Sequence, residues 1–153
     1  MRLPTPGLIE RFRVEVELGP LEDHGITRAG HRRIIPIVGG RITGEIDAAI
    51  LPGGADWQLL RPDGAVDVDG RYSARTGAGE LVYLHAQGVR SGEPAVLEAL
   101  LRGDAVDPAS YYFRTVVTVE TSAPALAWMQ HRLFLCAAQR DASTVRYTAY
   151  EVS

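Results

Sequence analysis

The stretch RPDGAVDVDGRYSARTGAGELVYLHAQGV (61–89) decides the fold class of this chain. Its first residues, 62–64, predict a turn, because proline presets φ and glycine accepts a positive φ. Residues 66–76 then alternate apolar or small side chains with polar ones, which is the period of a half-buried strand. Gly77-Ala78-Gly79 predicts a second turn, and residues 81–89 alternate again. The stretch therefore predicts two consecutive antiparallel strands.

The same alternation recurs along most of the chain. Residues 8–18 form the clearest example, with Phe12, Val14, Val16 and Leu18 on one face. Further strands are predicted at 31–38, 42–51, 57–60, 111–121, 133–139 and 144–152. Residues 19–30 are predicted to be a polar connection, and Gly39-Gly40 is predicted to end a strand. One helix is predicted over 94–102, between Pro94 and Gly103, and a single helical turn at 124–129.

About eight to ten short strands with one short helix are typical of an all-β sandwich or barrel. A closed barrel also removes the exposed edges that so many short strands would otherwise present. At 153 residues the chain is predicted to be a single domain, 1–153. The sequence thus favours an all-β fold built as a single antiparallel β-barrel with one short helix.

Composition excludes several function classes. The net charge of −3 offers no electrostatic reason to expect binding to nucleic acid or to an anionic membrane. The one cysteine, Cys136, cannot form an internal disulfide and is predicted to be a small buried hydrophobe. No apolar run approaches 18 residues and the first residues lack a leader-like apolar region, so a cytoplasmic protein is expected.

No strong catalytic or cofactor signature is present. The chain has no G-x-S-x-G, no P-loop and no H-E-x-x-H. IVGGRITG (37–44) lacks the spacing of a dinucleotide loop and no helix follows it. No metal site is predicted, because the histidines are far apart and lack ligand spacing: His24, His31, His85 and His131. No cofactor is therefore expected.

Four short motifs, in this order, carry a resemblance to a known family. They are Gly53-Gly54-Ala55-Asp56-Trp57, Asp63-Gly64 followed by Tyr72, Tyr112-Phe113-Arg114-Thr115, and Tyr150-Glu151-Val152. From about Gly25 to Val152 the chain resembles the family called domain of unknown function 3237. The resemblance implies an antiparallel β-barrel with a central cavity, similar in outline to lipocalin and allene-oxide-cyclase barrels. The chain departs from the family pattern at 77–79 and 85–87, so its pocket chemistry is expected to be its own.

Asp56 is the first candidate site residue. It directly follows a glycine-rich turn, where a carboxylate at the barrel mouth could act as a general base or hold a ligand hydroxyl. The alternative is a turn residue that bonds its own backbone. Trp57 and Trp128 are candidates for an apolar ligand wall, against ordinary packing in the core or at the rim.

The strand predicted at 111–121 offers a second group of candidates. Tyr112, Arg114 and Glu120 share one of its faces. If that face points inward, Arg114 needs either a carboxylate partner or an anionic ligand, because an unpaired buried charge is costly. The alternatives are a purely structural Arg–Glu pair and the opposite parity, in which Val117 and Val119 face inward and these residues face solvent.

The remaining candidates are spread over other strands. His85 and Tyr83 share a face, and His85 is either a structural histidine or an acid/base group. Tyr72, Arg90 and Arg140 complete the predicted ligand-binding residues. The corresponding hypothesis is a cofactor-free cyclase, isomerase or dehydratase that folds a small oxygenated metabolite while Asp56, Glu120 or His85 moves a proton.

The alternative function is a non-catalytic, lipocalin-like binding or carrier protein for a small molecule. The expected partner in both cases is a small-molecule ligand or substrate, with neither nucleic acid nor membrane. A homodimer through an exposed strand edge is a further expectation.

Overall fold

A computed structural model describes all residues, 1–153, and contains ten strands in one sheet. The strands are β1 (Leu8–Leu18), β2 (Glu22–Thr27), β3 (Gly30–Gly44), β4 (Ala48–Ile50), β5 (Gly54–Leu60), β6 (Val66–Thr76), β7 (Leu81–Gly92), β8 (Tyr111–Thr121), β9 (Phe134–Arg140) and β10 (Thr144–Val152). One α-helix, α1 (Pro94–Leu101), follows β7, and two 3₁₀ helices span Pro108–Ser110 and Pro124–His131. No helix is long and apolar enough to cross a bilayer.

The sheet closes on itself because β1 pairs with both β10 and β3. Every pairing is antiparallel. The short strands β4 and β5 both lie between β3 and β6, and each pairs with a different part of those two strands. The long strand β3 makes this possible, since its first half pairs with β2 and β5 and its second half with β1 and β4. The predicted all-β, single antiparallel barrel is confirmed.

Three local predictions differ from the observed elements. The predicted connection 19–30 contains β2, and the predicted 42–51 strand is split between the end of β3 and β4. Gly39-Gly40 does not end a strand but lies inside β3. Gly40 has a φ of +132°, and a Cβ there would lie 2.1 Å from the Glu15 carbonyl oxygen. The glycine therefore permits a bend and a close approach to β1.

One end of the barrel is filled with large apolar side chains. The most deeply buried of them are Phe12, Ile42, Ile46, Val82, Met129 and Phe134. The 3₁₀ helix Pro124–His131 lies at this end and contributes Met129, which is fully buried. We call this the closed end. The polar buried residues Arg33, Gln58 and Arg90 belong to the opposite end of the strands.

Candidate functional site: a cavity with an arginine cluster

A small cavity lies inside the barrel, between the closed end and the buried polar residues. The space open to the centre of a water molecule is about 50 Å³, so the cavity can hold a few waters or a small ligand. Its wall is mainly apolar, with contributions from Val16, Leu18, Ile35, Ile37, Val68 and Phe113. A few polar side chains interrupt that wall: Asp56, Tyr72, Thr115, Arg140 and Tyr147. A mostly apolar enclosure with few polar groups is the usual form of a small-molecule site.

Asp56 lies on β5, opposite Gly70 of β6 and Ile35 of β3. Gln58 Nε2 donates a hydrogen bond to its Oδ2 at 2.9 Å, and the backbone N–H of Asp69 donates to its Oδ1 at 2.9 Å. Because Asp69 belongs to the neighbouring strand, Asp56 is not a turn residue that bonds its own backbone. Burial raises the pKa of this carboxyl group, and the two hydrogen bonds and the charge of Arg90 only partly oppose it.

The charge of Asp56 acts on three arginine side chains, Arg33, Arg90 and Arg140. We call these three residues the arginine cluster. Arg33 lies opposite Gln58 in the β3–β5 pairing, Arg90 opposite Phe113, and Arg140 near the end of β9. None of the three forms an ion pair with a carboxylate. The Nε atoms of Arg33 and Arg90 are buried without a hydrogen-bond partner, as is Oε1 of Gln58.

The cluster carries a surplus of buried positive charge. Burial, together with the nearby charges of Arg140 and Arg33, lowers the pKa of Arg90 to about 10, and Asp56 offsets this only in part. Burial also lowers the pKa of Arg33 and of Arg140. Asp56 acts on all three guanidinium groups, whereas Asp23 acts only on Arg33 and Asp141 only on Arg140. Since buried charges are stable only when paired, this arrangement favours an anionic ligand, and guanidinium matches carboxylate or phosphate oxygens geometrically.

Four of the sequence-predicted site residues face the interior. Asp56, Tyr72 and Arg140 line the cavity, and Arg90 is buried on the inner face of β7 with its guanidinium 5.7 Å from the centre of the Phe113 ring. Whether these residues bind or transform a ligand stays a prediction.

Five other candidates face away from the cavity: Tyr83, His85, Tyr112, Arg114 and Glu120. Phe113, Val117 and Val119 are buried, so the alternating residues of β8 point outward, and the register carries the same parity into β7. The hypothesis that His85 or Glu120 moves a proton inside the barrel is therefore wrong. His85 instead contacts Asp69 at 2.7 Å on the outer face.

The two tryptophans do not form a ligand wall. Trp57 alternates with the inward-facing Asp56 and Gln58, lies opposite Ile34, and is half-buried on the outer face. Trp128 lies at the closed end, where its ring is 6.4 Å from that of Phe134 and beneath the guanidinium of Arg11. Neither residue lines the cavity, and Trp128 packs at the closed end of the barrel.

Sequence reasoning missed four residues of the site: Arg33, Gln58, Tyr111 and Tyr147. The parity of β5 could have indicated Gln58, which shares a face with Asp56, and Arg33 alternates in the same way with Ile35. Tyr111 accepts a hydrogen bond from the backbone N–H of Arg140 at 3.0 Å. No local signal indicated this contact, because it joins residues 29 positions apart.

Asp56 is expected to make the protein less stable as pH rises through the acid range. Its folded-state pKa lies above its ordinary value of 3.8, so between the two values the folded protein holds a proton that the unfolded chain has released. The free energy of unfolding therefore falls with rising pH across this interval and then levels off. Denaturation of the wild type and of Asp56→Asn from about pH 3 to about pH 8 measures this difference.

The matched control for this measurement is Asp104→Asn, which alters an exposed carboxylate. The stability of Asp56→Asn relative to the wild type is expected to grow with pH, whereas Asp104→Asn should not show this trend. A relative stability of Asp56→Asn that falls with pH would mean that the folded protein favours the ionised carboxylate.

Comparison with known proteins identifies the family. The model described as "Protein of unknown function (DUF3237)" matches residues 6–152, and the chain belongs to this family. A UPF0311 protein of Bradyrhizobium diazoefficiens is 38% identical over 141 residues, covering 92% of this chain and 93% of the relative. A conserved protein of unknown function from Rhodopseudomonas palustris has a crystal structure with a TM-score of 0.93 and 36% identity, covering 99% of this chain and 100% of that one.

A more distant structure shares the fold alone. It is described as an enzyme from Penicillium herquei, with a TM-score of 0.72 and 17% identity, covering 100% of this chain and 98% of that one.

Proposed function

We propose that this DUF3237 protein is a cofactor-free enzyme that moves a proton on a small oxygenated anion held inside the barrel. The observation that carries the proposal is one buried carboxylate, Asp56, close to three guanidinium groups, none of which forms an ion pair. The distant Penicillium enzyme supports only the compatibility of this fold with catalysis, because a fold does not specify a function.

Asp56 is suited to the role of general base. A carboxylate whose pKa is raised above its ordinary value is, in its ionised form, a stronger base than an exposed one. The backbone N–H of Asp69 and the amide of Gln58 hold its orientation from two sides. These contacts come from β5 and β6, so the position of the base is determined by the rigid sheet.

The arginine cluster is suited to binding the substrate and stabilising the charge that develops. In the proposed step, Asp56 takes a proton from a carbon next to a carbonyl group, and the bonding electrons move to the carbonyl oxygen to give an enolate. The guanidinium groups stabilise that oxygen and the substrate's own anionic group. In a substrate with a C=C bond conjugated to the enolate, return of the proton from Asp56 to the far carbon completes an isomerisation. In a substrate with a hydroxyl group on the β carbon, the proton held by Asp56 leaves with that group as water, which completes a dehydration.

Exchange of carbon-bound protons with solvent is the most direct test. We expect the protein to catalyse deuterium incorporation from D₂O into one or more small 2-oxo or 3-oxo acids, followed by proton NMR. The Asp56→Asn variant should exchange about 100-fold more slowly or worse, since general bases contribute at least that factor.

The Asp56→Asn variant should remain folded. The introduced asparagine can still accept a hydrogen bond from the Asp69 N–H, and a rotated Gln58 amide can accept one from the asparagine Nδ2, using the Oε1 atom that otherwise lacks a partner. His85→Ala is the matched control, because His85 is ionisable but lies on the outer face, and it should exchange like the wild type. Equal exchange by the wild type and Asp56→Asn would contradict the assignment.

A small-molecule carrier is the second candidate function. The arginine cluster favours it as much as catalysis, because anion binding alone would satisfy the unpaired guanidinium groups. The two functions are separated by the fate of a bound anion: a carrier releases it unchanged, and its Asp56→Asn variant differs from the wild type in affinity alone.

A further inference from the structure

Two buried phenols of the cavity wall meet inside the barrel, and the proposed proton transfer uses neither of them. Tyr72 of β6 and Tyr147 of β10 are 4% and 7% exposed, and their hydroxyl groups are hydrogen-bonded to each other. Both side chains line the same cavity as Asp56 and Arg140. The two residues are 75 positions apart in sequence, so only barrel closure brings them together.

The count of protons at this pair leaves one donor unused. Each phenol carries one O–H, and the mutual hydrogen bond uses one of the two. Neither hydroxyl group is bonded to any other protein group. Buried O–H groups in folded proteins almost always have an acceptor, so the second O–H requires one from a molecule in the cavity.

We propose that Tyr72 and Tyr147 form a subsite that donates a hydrogen bond to a neutral carbonyl or hydroxyl oxygen of the substrate. The proposal rests on the proposed function, because it concerns the far end of the anion that the arginine cluster binds. Burial raises the pKa of both tyrosines, so the hydroxyl groups stay protonated and remain donors at neutral pH.

The sheet register places the backbone positions of the two subsites at successive levels of the barrel. Tyr147 lies opposite Ala138, two residues along β9 from Arg140, and Tyr72 lies two residues along β6 from Gly70, the partner of Asp56. Two residues of strand span about 6.6 Å. The substrate is therefore a bifunctional molecule, with an anionic group at one end and a neutral oxygen several bonds away.

A matched pair of small acids tests this subsite. The probes are 4-oxopentanoate, which has a carboxylate and a distal ketone, and pentanoate, which lacks the ketone. We expect the wild type to bind 4-oxopentanoate about fivefold more tightly than pentanoate in calorimetric titrations, as a single neutral hydrogen bond allows. The double variant Tyr72→Phe/Tyr147→Phe should lose that preference and still bind pentanoate, because either single variant keeps one O–H group that can donate to the ketone.

Two controls make the outcomes distinguishable. Tyr112→Phe removes a hydroxyl group from the outer face, where Tyr112 is 54% exposed, and should keep the full preference. Continued binding of pentanoate shows that the double variant is folded.

A preference that survives in the Tyr72→Phe/Tyr147→Phe double variant overturns the subsite. Equal affinity of the wild type for the two acids also overturns it. If Arg90→Met still weakens binding of both acids, the anion site and the proposed function stand without the subsite. If the wild type binds neither acid, both the subsite and the anion site that supports it are wrong.

Discussion

Replacing Arg90 with methionine is expected to stabilise the protein and, at the same time, to weaken binding of small carboxylates by about 10- to 100-fold. The pKa of Arg90 falls from an ordinary 12.5 to about 10, and this difference corresponds to a cost of about 3 kcal/mol for keeping the charged group buried. The substitution also removes the contact between the guanidinium and the Phe113 ring, and this loss destabilises the variant by about 1 kcal/mol. The net expectation is a gain of about 2 kcal/mol, or about 4–8 °C in Tm.

The sign of this effect does not depend on pH near neutrality. The folded-state pKa of Arg90 lies below that of the unfolded chain, so the cost is present at every pH below about 10 and diminishes only at higher pH. Thermal denaturation near pH 7 measures the stability, and titration with pentanoate measures the binding.

Arg114→Met is the matched control for Arg90→Met. Both arginines lie over an aromatic ring, Arg114 over Tyr112 at 5.5 Å, but Arg114 is on the outer face and its guanidinium donates to the Phe113 carbonyl. Its replacement should lower the stability slightly, by about 0.5 kcal/mol, and leave carboxylate binding intact. If Arg90→Met destabilises the protein more than Arg114→Met does, Arg90 is paired in the folded protein and the surplus of positive charge does not exist.

Replacing Gly88 with alanine is expected to have the largest effect on stability. A Cβ at this position would lie 2.0 Å from the Arg114 carbonyl oxygen and 2.6 Å from the Thr115 Cα, both in the backbone of β8. Since neither atom belongs to a flexible side chain, β7 and β8 must move apart and their hydrogen bonds must lengthen. We expect a loss of about 3 kcal/mol or more in the free energy of unfolding, measured by chemical denaturation.

Gly77→Ala separates this steric effect from the general effect of adding a methyl group to a glycine. Gly77 has no positive φ, and nothing lies within 4 Å of a Cβ built there. The variant should be neutral or more stable by up to about 1 kcal/mol, because alanine reduces the freedom of the unfolded chain. A Gly88→Ala variant as stable as Gly77→Ala would mean that β7 and β8 are further apart at this point than described.

Much of the strand content could be predicted from the sequence because alternation is a local property. Successive side chains in a strand point to opposite faces, so residues 66–76, 111–121 and 144–152 display the period of two wherever they are placed. The bend at Gly40 could not be predicted in the same way, because its cause is the carbonyl of Glu15 on another strand. Glycine alone does not distinguish a strand end from a close approach.

Alternation also does not say which face is inside. Strand β8 has apolar residues on both faces, and Val116 on the outer one is 41% exposed while Val117 is fully buried. The charged residues of this strand therefore looked equally compatible with a cavity and with solvent. Only the register of β8 against β7 and β9, set by closure of the sheet, placed Arg114 and Glu120 outside.

The sequence by itself determined the fold class, the family and the candidacy of Asp56, because each depends on short motifs and on local periodicity. The tertiary structure alone decided the composition of the site. Arg33, Arg90 and Arg140 come from three strands, and Tyr72 meets Tyr147 across the barrel. Groups this far apart in the chain become neighbours only when non-local strand pairing closes the barrel. Their burial next to one another, which shifts their pKa values and leaves hydrogen-bond donors without partners, exists only in the closed barrel.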